Sequence, residues 1–171
     1  DLDGLKNAMK YGSKERIEKN SLGKFGLGLK TASTAFCKQF SLISRNSPDS
    51  ELRKVQWDLD YIANNGSWLL QFPVIDSDEE DMFNMVAEGS SGTLLVWEKI
   101  DRLMKNYKNF KNAQNGLNKI LEELRFHLSM VFQRYLDKND SRAQNVEITV
   151  NTQSVSPWDP SVSYTHLTLP T

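Results

Sequence analysis

Apolar residues recur along this chain with two different periods, and each period predicts a type of secondary structure. Helical spacing predicts a first helix from Leu2 to Tyr11, which ends at Gly12, a typical C-terminal cap. The longest helical pattern lies at residues 115–137, where apolar side chains step by four and three residues and form a single seam. The seam consists of Leu117, Leu121, Leu124, Leu128, Val131 and Tyr135.

Strict alternation of apolar and polar residues predicts β-strands in the middle of the chain. Residues 55–61 alternate, a turn signal follows at 63–66, and alternation returns at 68–72. We expect these two segments to form a β-hairpin. Further strands are predicted at residues 40–45, 93–98 and 146–150, the last of them followed by a turn at 151–153.

The predicted order of elements indicates a fold class. A polar loop at 13–24 precedes a small-residue helix from Leu27 to Cys37, and the acidic run 76–81 is expected to be a solvated loop or a helix start. Strands that run as a block between helices indicate an α+β fold rather than alternating βαβ units.

Composition excludes several classes of protein. The 171 residues carry 21 Lys and Arg against 22 Asp and Glu, so overall charge does not drive the chain onto nucleic acid or an anionic membrane. No apolar run approaches the ~18 residues needed to cross a bilayer, and we expect a cytoplasmic protein without a membrane partner. The single Cys37 excludes an internal disulfide and a cysteine-based zinc cluster, and we expect it to be a small buried residue.

The sequence patterns at the two ends of the chain also lead to predictions. A helical pattern is already under way at Asp1, so we expect a piece of a longer protein. Residues 161–171 carry no charged side chain and no periodicity, and they resemble a translated adapter sequence. We expect this segment to be a non-native, disordered tail.

A glycine-rich segment is the most informative part of the sequence. Gly23, Gly26 and Gly28 lie within six positions, and the missing Cβ atoms let a ligand approach the backbone. A helix follows at once, and the free N–H groups and positive dipole at a helix N-terminus bind phosphate well. Lys24 and Lys30 add positive charge on either side. The segment therefore indicates an anion cradle, for which a polyphosphate is the natural ligand.

Two other phosphate-binding loops fit this segment less well. Residues 23–28 have the glycine spacing of a Walker A loop, but Leu29 stands where the lysine belongs and a polar stretch replaces the preceding buried strand. The dinucleotide fingerprint has its glycines in the other order and also follows a strand. A loop whose glycines only permit tight packing stays open as the alternative without a ligand.

The segment closely resembles the second glycine motif of the GHKL ATPases, the superfamily of gyrase, the heat-shock chaperone, histidine kinases and MutL. It reads Gly-Lys-Phe-Gly-Leu-Gly-Leu-Lys-Thr-Ala-Ser over residues 23–33, and it looks most like bacterial chaperone-like ATP-binding proteins and MORC ATPases. Three further segments agree in order: 5–13 resembles the helix before the ATP lid, 91–97 the Gly-Thr strand behind the adenine, and 150–159 the segment after the ATPase module.

The resemblance implies a fold and a domain organisation. It implies a two-layer α/β sandwich of the Bergerat type, with a mixed β-sheet and helices on one face. It further implies a partial ATP-binding domain over residues 1–138 and the start of a following segment over 139–160.

The resemblance also implies a nucleotide site. Backbone N–H groups of Gly26, Leu27 and Gly28 would hold the phosphates, Lys30 would approach the terminal phosphates, and Thr93 would join the hydrogen bonds around the adenine. Lys24 would line the edge of a lid formed by residues 13–24. The nucleotide-binding residues implied by the resemblance are therefore Lys24, Gly26, Leu27, Gly28, Lys30 and Thr93.

The catalytic half of the family's site has no counterpart in this sequence. The glutamate that activates water, the asparagine that binds Mg²⁺ and the aspartate that reads adenine are all expected upstream of Asp1. We therefore assign no catalytic or metal-binding residue and expect no hydrolysis by this chain alone. The complete protein would bind ATP with Mg²⁺, dimerise as a homodimer and use hydrolysis to reset a conformational clamp.

Two alternatives of other classes remain open. The chain could be an inactive scaffold or interaction module that kept the GHKL fold. A weaker alternative is nucleic-acid binding through the basic row Lys99, Arg102, Lys105, Lys108 and Lys111. On a helix this three-residue spacing drifts round the cylinder, which favours a solvated face. His127 is expected to be a packing or surface residue, and His166 lies in the expected tail.

Overall fold

The computed structural model describes residues 1–12, 26–102 and 107–160. The chain forms two compact units, Asp1–Lys105 and Asn106–Thr171. The first unit contains α1 (Leu2–Met9), α2 (Gly28–Phe36), β1 (Cys37–Arg45), β2 (Arg53–Asp58), α3 (Leu59–Asn65), α4 (Ser77–Ala87) and β3 (Gly92–Ile100). The second contains α5 (Phe110–Val131), α6 (Gln133–Leu136), β4 (Thr149–Val150) and β5 (Gln153–Ser154). The expected domain boundary between residues 138 and 139 stays a prediction.

A three-stranded sheet in the order β2-β1-β3 organises the first unit. Phe40 of β1 lies opposite Trp57 of β2 and Trp97 of β3, and both strand pairings are antiparallel. The α+β class is confirmed. The sheet, which was expected to be mixed, is antiparallel in all pairings of the described strands.

Helices α1 and α2 cover one face of this sheet. Leu5 and Met9 of α1 are buried in one cluster with Phe40, Leu42 and Trp57. Alternate residues of a strand project from opposite faces, so these strand residues define the face on which α1 and α2 lie.

Helix α4 covers the opposite face. Its residues Phe83 and Ala87 form a second cluster with Ile43 of β1, the residue next to Leu42. The helix begins with a capping box, in which the Asp76 side chain accepts from the Glu79 N–H and the Glu79 side chain accepts from the Asp76 N–H. The acidic run is therefore a helix start, one of its two expected forms.

The predicted hairpin of residues 55–61 with 68–72 is present only as one antiparallel bridge, because a helix replaces the second half of its first strand. The Asp58 side chain accepts hydrogen bonds from the N–H groups of Asp60 and Tyr61, which ends β2 and begins α3. The expected turn is the end of α3, where Gly66 adopts a φ of +63°. Residues 68–72 pair with β2 at one position only, where Gln71 and Gln56 exchange backbone hydrogen bonds of 3.0 Å.

The other helices and strands lie where the sequence predicts them, but several differ from the prediction in length. Helix α1 ends two residues before the predicted limit, and α2 agrees to within one residue at each end. The long predicted helix is divided into α5 and α6, and the seam residues Leu117, Leu124 and Val131 are exposed. The predicted last strand is reduced to β4, which pairs with β5.

The sequence predicts that no segment is long and apolar enough to cross a membrane. Among the described residues, no helix is both long enough and apolar enough to cross a bilayer.

Candidate functional site

The glycine-rich segment leads directly into α2. Gly26 adopts a φ of +62°, a backbone conformation that side-chain-bearing residues rarely adopt. Leu27 then takes the N-cap position, and Gly28 is the first helical residue. A leucine side chain cannot accept a hydrogen bond, so it caps none of the N–H groups in the first turn of α2.

Within the part of the chain that the structure describes, the first residues of this helix face open space. Leu27 and Gly28 are exposed, and a Cβ atom built on Gly28 would meet nothing within 4 Å among the atoms of the described chain. An anion could therefore approach the first-turn N–H groups without displacing a side chain of the described residues. The arrangement fits a phosphate group.

Lys30 lies on the buried side of the same helix. Its Nζ donates a 2.8 Å hydrogen bond to the Ala8 carbonyl oxygen in the last turn of α1 and lies 5.9 Å from the ring centroid of Tyr11. Burial lowers the pKa of this ammonium group. Lys30 thus links α2 to the end of α1, and its contacts in this structure are with protein groups.

Thr93 lies at the beginning of β3. Its Oγ1 is 2.9 Å from the Oγ of Ser44, its partner in the β1–β3 register. Thr93 and Trp97 are four residues apart on one strand and therefore project from the same face. The Trp97 indole Nε1 donates to Ser33 Oγ of α2 at 2.9 Å, so this is the face on which α2 packs. Thr93 shares that face with α2, but its hydrogen bond is to Ser44.

Lys24 and the expected lid at residues 13–24 lie outside the described residues. The structure does, however, show a positioning residue that sequence reasoning missed. Ser33 is fully buried in α2 and receives the Trp97 hydrogen bond, which fixes the helix against β3. Because Ser33 lies three residues after Lys30, both being buried on one side of α2, helical spacing was the signal that could have found it.

The remaining candidates from the sequence are Cys37, His127 and the row of basic residues that begins at Lys99. Cys37 is buried, as expected, and burial raises the pKa of its thiol. His127 is exposed on α5. In the basic row, Lys99 pairs with Asp58 at 2.7 Å and Arg102 donates to the Ala35 carbonyl at 3.0 Å. The described ranges contain no group of three His, Cys, Asp or Glu side chains that could hold a metal ion.

A family model described as histidine kinase-, DNA gyrase B-, and HSP90-like ATPase matches residues 1–93. No curated protein matches the chain significantly, and no solved structure does. The matched range is more than half of the 171 residues and includes α1, α2, the turn between Gly26 and Gly28 and, as its last residue, Thr93. At the level of the superfamily the match supports ATP binding. The chain belongs to the GHKL ATPase family, the ATPases that resemble histidine kinases, DNA gyrase B and the heat-shock chaperone.

Proposed function

We propose that this chain binds ATP with its phosphates at the turn Gly26–Gly28 and the first turn of α2. The observation that carries the proposal is the open N-terminus of α2, which follows a positive-φ glycine and lacks a capping side chain. Among the described residues, no atom lies within 4 Å of a Cβ built on Gly28, and the helix dipole there favours a negative charge. Family membership supports ATP as the source of that charge.

Other residues have supporting roles in this proposal. Thr93 would join the hydrogen bonds around the adenine, on the sheet face that it shares with α2. Lys24 and the lid at 13–24 would close over the phosphates. Lys30 supplies positive charge behind the turn, and it would have to exchange its bond to the Ala8 carbonyl to reach a terminal phosphate.

The biological setting is also a proposal. We infer a chaperone-like or MORC-like clamp in the cytoplasm, which binds ATP with Mg²⁺ and dimerises in the full-length protein. When bound, Mg²⁺ would neutralise phosphate charge, and no described residue is assigned to hold it. The support for this setting is the likeness of residues 23–33 to the family's glycine motif.

The variant Gly28→Ala tests the phosphate site without disturbing the fold. The added methyl group meets no atom of the described residues within 4 Å, so we expect the free energy of unfolding to stay within ~0.5 kcal/mol of the original. The same methyl group would stand in the path of a phosphate, so calorimetry with a non-hydrolysable ATP analogue should show binding weakened at least about tenfold.

Gly66→Ala is the matched control. Gly66 also has open space around it, but its φ of +63° makes an alanine there strained, so we expect this variant to lose about 1 kcal/mol of stability and to keep its affinity for the nucleotide. If the folded original chain binds no nucleotide, or Gly28→Ala binds it unchanged, the proposed site is wrong. Absence of binding would favour the scaffold alternative.

A further inference from the structure

The first unit carries an apolar groove, and half of the residues that line it are aromatic. The groove has a volume of about 430 Å³ and is lined by Lys6, Met9, Lys10, Tyr11, Trp57, Trp68, Leu70 and Phe72. Three of its rings contact one another: the Trp57 centroid lies 5.0 Å from that of Trp68 and 5.3 Å from that of Tyr11. Trp68 is nonetheless 61% exposed, which is high for so large an apolar side chain.

Positive charge accompanies this aromatic groove. Lys6 lies over the ring of Phe72, with its Nζ 5.8 Å from the centroid, and Lys10 is exposed. The described lining residues include no carboxylate. The nearest acidic partner that the structure gives Lys6 is the highly exposed Asp3 at 3.9 Å, a contact of little energetic weight. The groove therefore suits an apolar ligand with negative charge beside it.

Helix α4 has an exposed surface that combines apolar side chains with carboxylates. Asp78, Met82 and Met85 follow one another at spacings of four and three residues, and Asp81 and Val86 lie beside them on the same side of the helix. We call these five residues the α4 stripe. Its apolar members are exposed, Met85 by 82% and Val86 by 70%, while the buried side of the helix carries Glu79, Phe83 and Ala87.

The aromatic groove and the α4 stripe cannot meet within one chain. Trp57 projects from the sheet face that α1 covers, whereas α4 packs on the other face. A contact between the two surfaces therefore requires two copies of the chain.

We propose that the aromatic groove of one copy binds the α4 stripe of a second copy. Methionine side chains fill irregular apolar spaces and make favourable contacts with aromatic rings. The carboxylates of Asp78 and Asp81 complement the charges of Lys6 and Lys10. An amphipathic helix that lays residues i, i+4 and i+7 into a groove is an established mode of recognition.

Such an association joins two different surfaces and is therefore head-to-tail. Each copy that has filled its groove still offers a free α4 stripe, so the contact produces rings or open chains rather than a single closed dimer. Neither surface includes the turn Gly26–Gly28, so the inference does not rest on the proposed ATP site.

Sedimentation velocity of the full 171-residue chain tests this inference. The original chain should show a weight-average sedimentation coefficient that rises with concentration and falls when salt is added. Trp68→Ala removes a wall of the groove, and Met85→Lys puts an ammonium group into the stripe. Each variant alone should be monomeric at concentrations where the original associates, a loss of at least about tenfold in affinity.

Mixing the two variants gives the sharper result. Met85→Lys retains an intact groove and Trp68→Ala retains an intact stripe, so an equimolar mixture should form a heterodimer and stop there. A mixture that stays monomeric overturns the inference, as does an original chain that stays monomeric at every concentration. Lys10→Glu is a second groove variant, because it leaves the aromatic rings in place if Trp68→Ala fails to fold.

Phe110→Lys is the matched control for Met85→Lys. Phe110 is 83% exposed and lies in the other unit, outside both surfaces. This variant should associate like the original chain. Equal weakening by Phe110→Lys and Met85→Lys would show non-specific hydrophobic contact and would overturn the inference.

Discussion

Lys30 is 2% exposed and donates its hydrogen bond to a backbone carbonyl oxygen rather than a carboxylate. Burial lowers its pKa below the ordinary value of 10.5. Between that lowered pKa and 10.5, the unfolded chain binds more protons than the folded chain, so the free energy of unfolding rises with pH in this window. A lysine whose pKa is raised by a salt bridge would have the opposite effect, because the free energy of unfolding would then fall as pH rises.

The variant Lys30→Met tests this sign. We expect the free energy of unfolding of the original chain, relative to Lys30→Met, to increase as pH is raised through the window that ends at 10.5. Urea denaturation at a series of pH values and constant ionic strength measures the difference. If the difference in free energy of unfolding stays constant or decreases as pH rises, the pKa of Lys30 is not lowered by burial.

Asp140 has its pKa lowered to about 2, chiefly by hydrogen bonds from the Arg142 side chain. The Arg142 Nε and Nη2 atoms donate to the two carboxylate oxygens at 2.8 and 2.6 Å. The variant Arg142→Gln removes the charge, so we expect the titration midpoint of Asp140 to move upward toward 3.8. Carboxyl-carbon NMR measures that midpoint, and an unchanged value would show that the contact is absent in solution.

At the scale of elements, Asp58 decides where β2 ends. Its Oδ1 accepts from the N–H groups of Asp60 and Tyr61, and its Oδ2 accepts from Lys99 Nζ at 2.7 Å. Burial raises the pKa of Asp58, but the hydrogen bonds from Lys99 and from these backbone groups outweigh it, so the pKa lies below its ordinary value.

Two substitutions of Asp58 separate the helix cap from the charge. Asp58→Ala removes both and should cost about 1–2 kcal/mol of stability, whereas Asp58→Asn keeps a capping oxygen and should cost less than half as much. Thermal or urea denaturation measures both losses. If the two substitutions are equally destabilising, the cap is not what begins α3.

The ion pair between Lys54 and Glu79 joins β2 to α4. Both side chains are only 7% exposed, and Nζ lies 2.5 Å from Oε1. Glu79→Leu alone would leave a buried lysine unpaired and should cost about 3–5 kcal/mol, whereas Lys54→Met combined with Glu79→Leu should recover most of that loss. Urea denaturation of both variants checks this, and a double variant as unstable as the single one would contradict it.

Local patterns in the sequence were enough to predict α1 from its helical spacing, α2 from the glycines that precede it, and the existence of β1 and β3. They failed after β2, since Asp58 fits an alternating strand as well as it fits a helix cap. The turn at Gly26–Gly28 could be predicted because its glycines precede a helix directly. The contact of Lys30 could not, because it depends on where a second helix lies in space.

At the scale of the whole molecule, the family match falls within the first compact unit, which also contains the open end of α2. We expect the 171-residue chain to bind an ATP analogue without hydrolysing ATP. Hydrolysis needs a placed base and, as a rule, a metal ion, and the resemblance assigns neither role to a residue of this sequence. Phosphate release measured with Mg²⁺ and ATP should equal the background. Release that Gly28→Ala abolishes would contradict the expectation.

The bond from Lys30 to Ala8 has a consequence for evolution. Its acceptor is a backbone carbonyl oxygen, which every amino acid provides, so a substitution at position 8 leaves the acceptor in place. Selection for this link would therefore act on position 30 alone. Among related sequences the lysine would persist while residue 8 varied among the side chains that can pack against the core as Ala8 does. Methods that infer contacts from correlated substitutions would then miss the bond between the two helices.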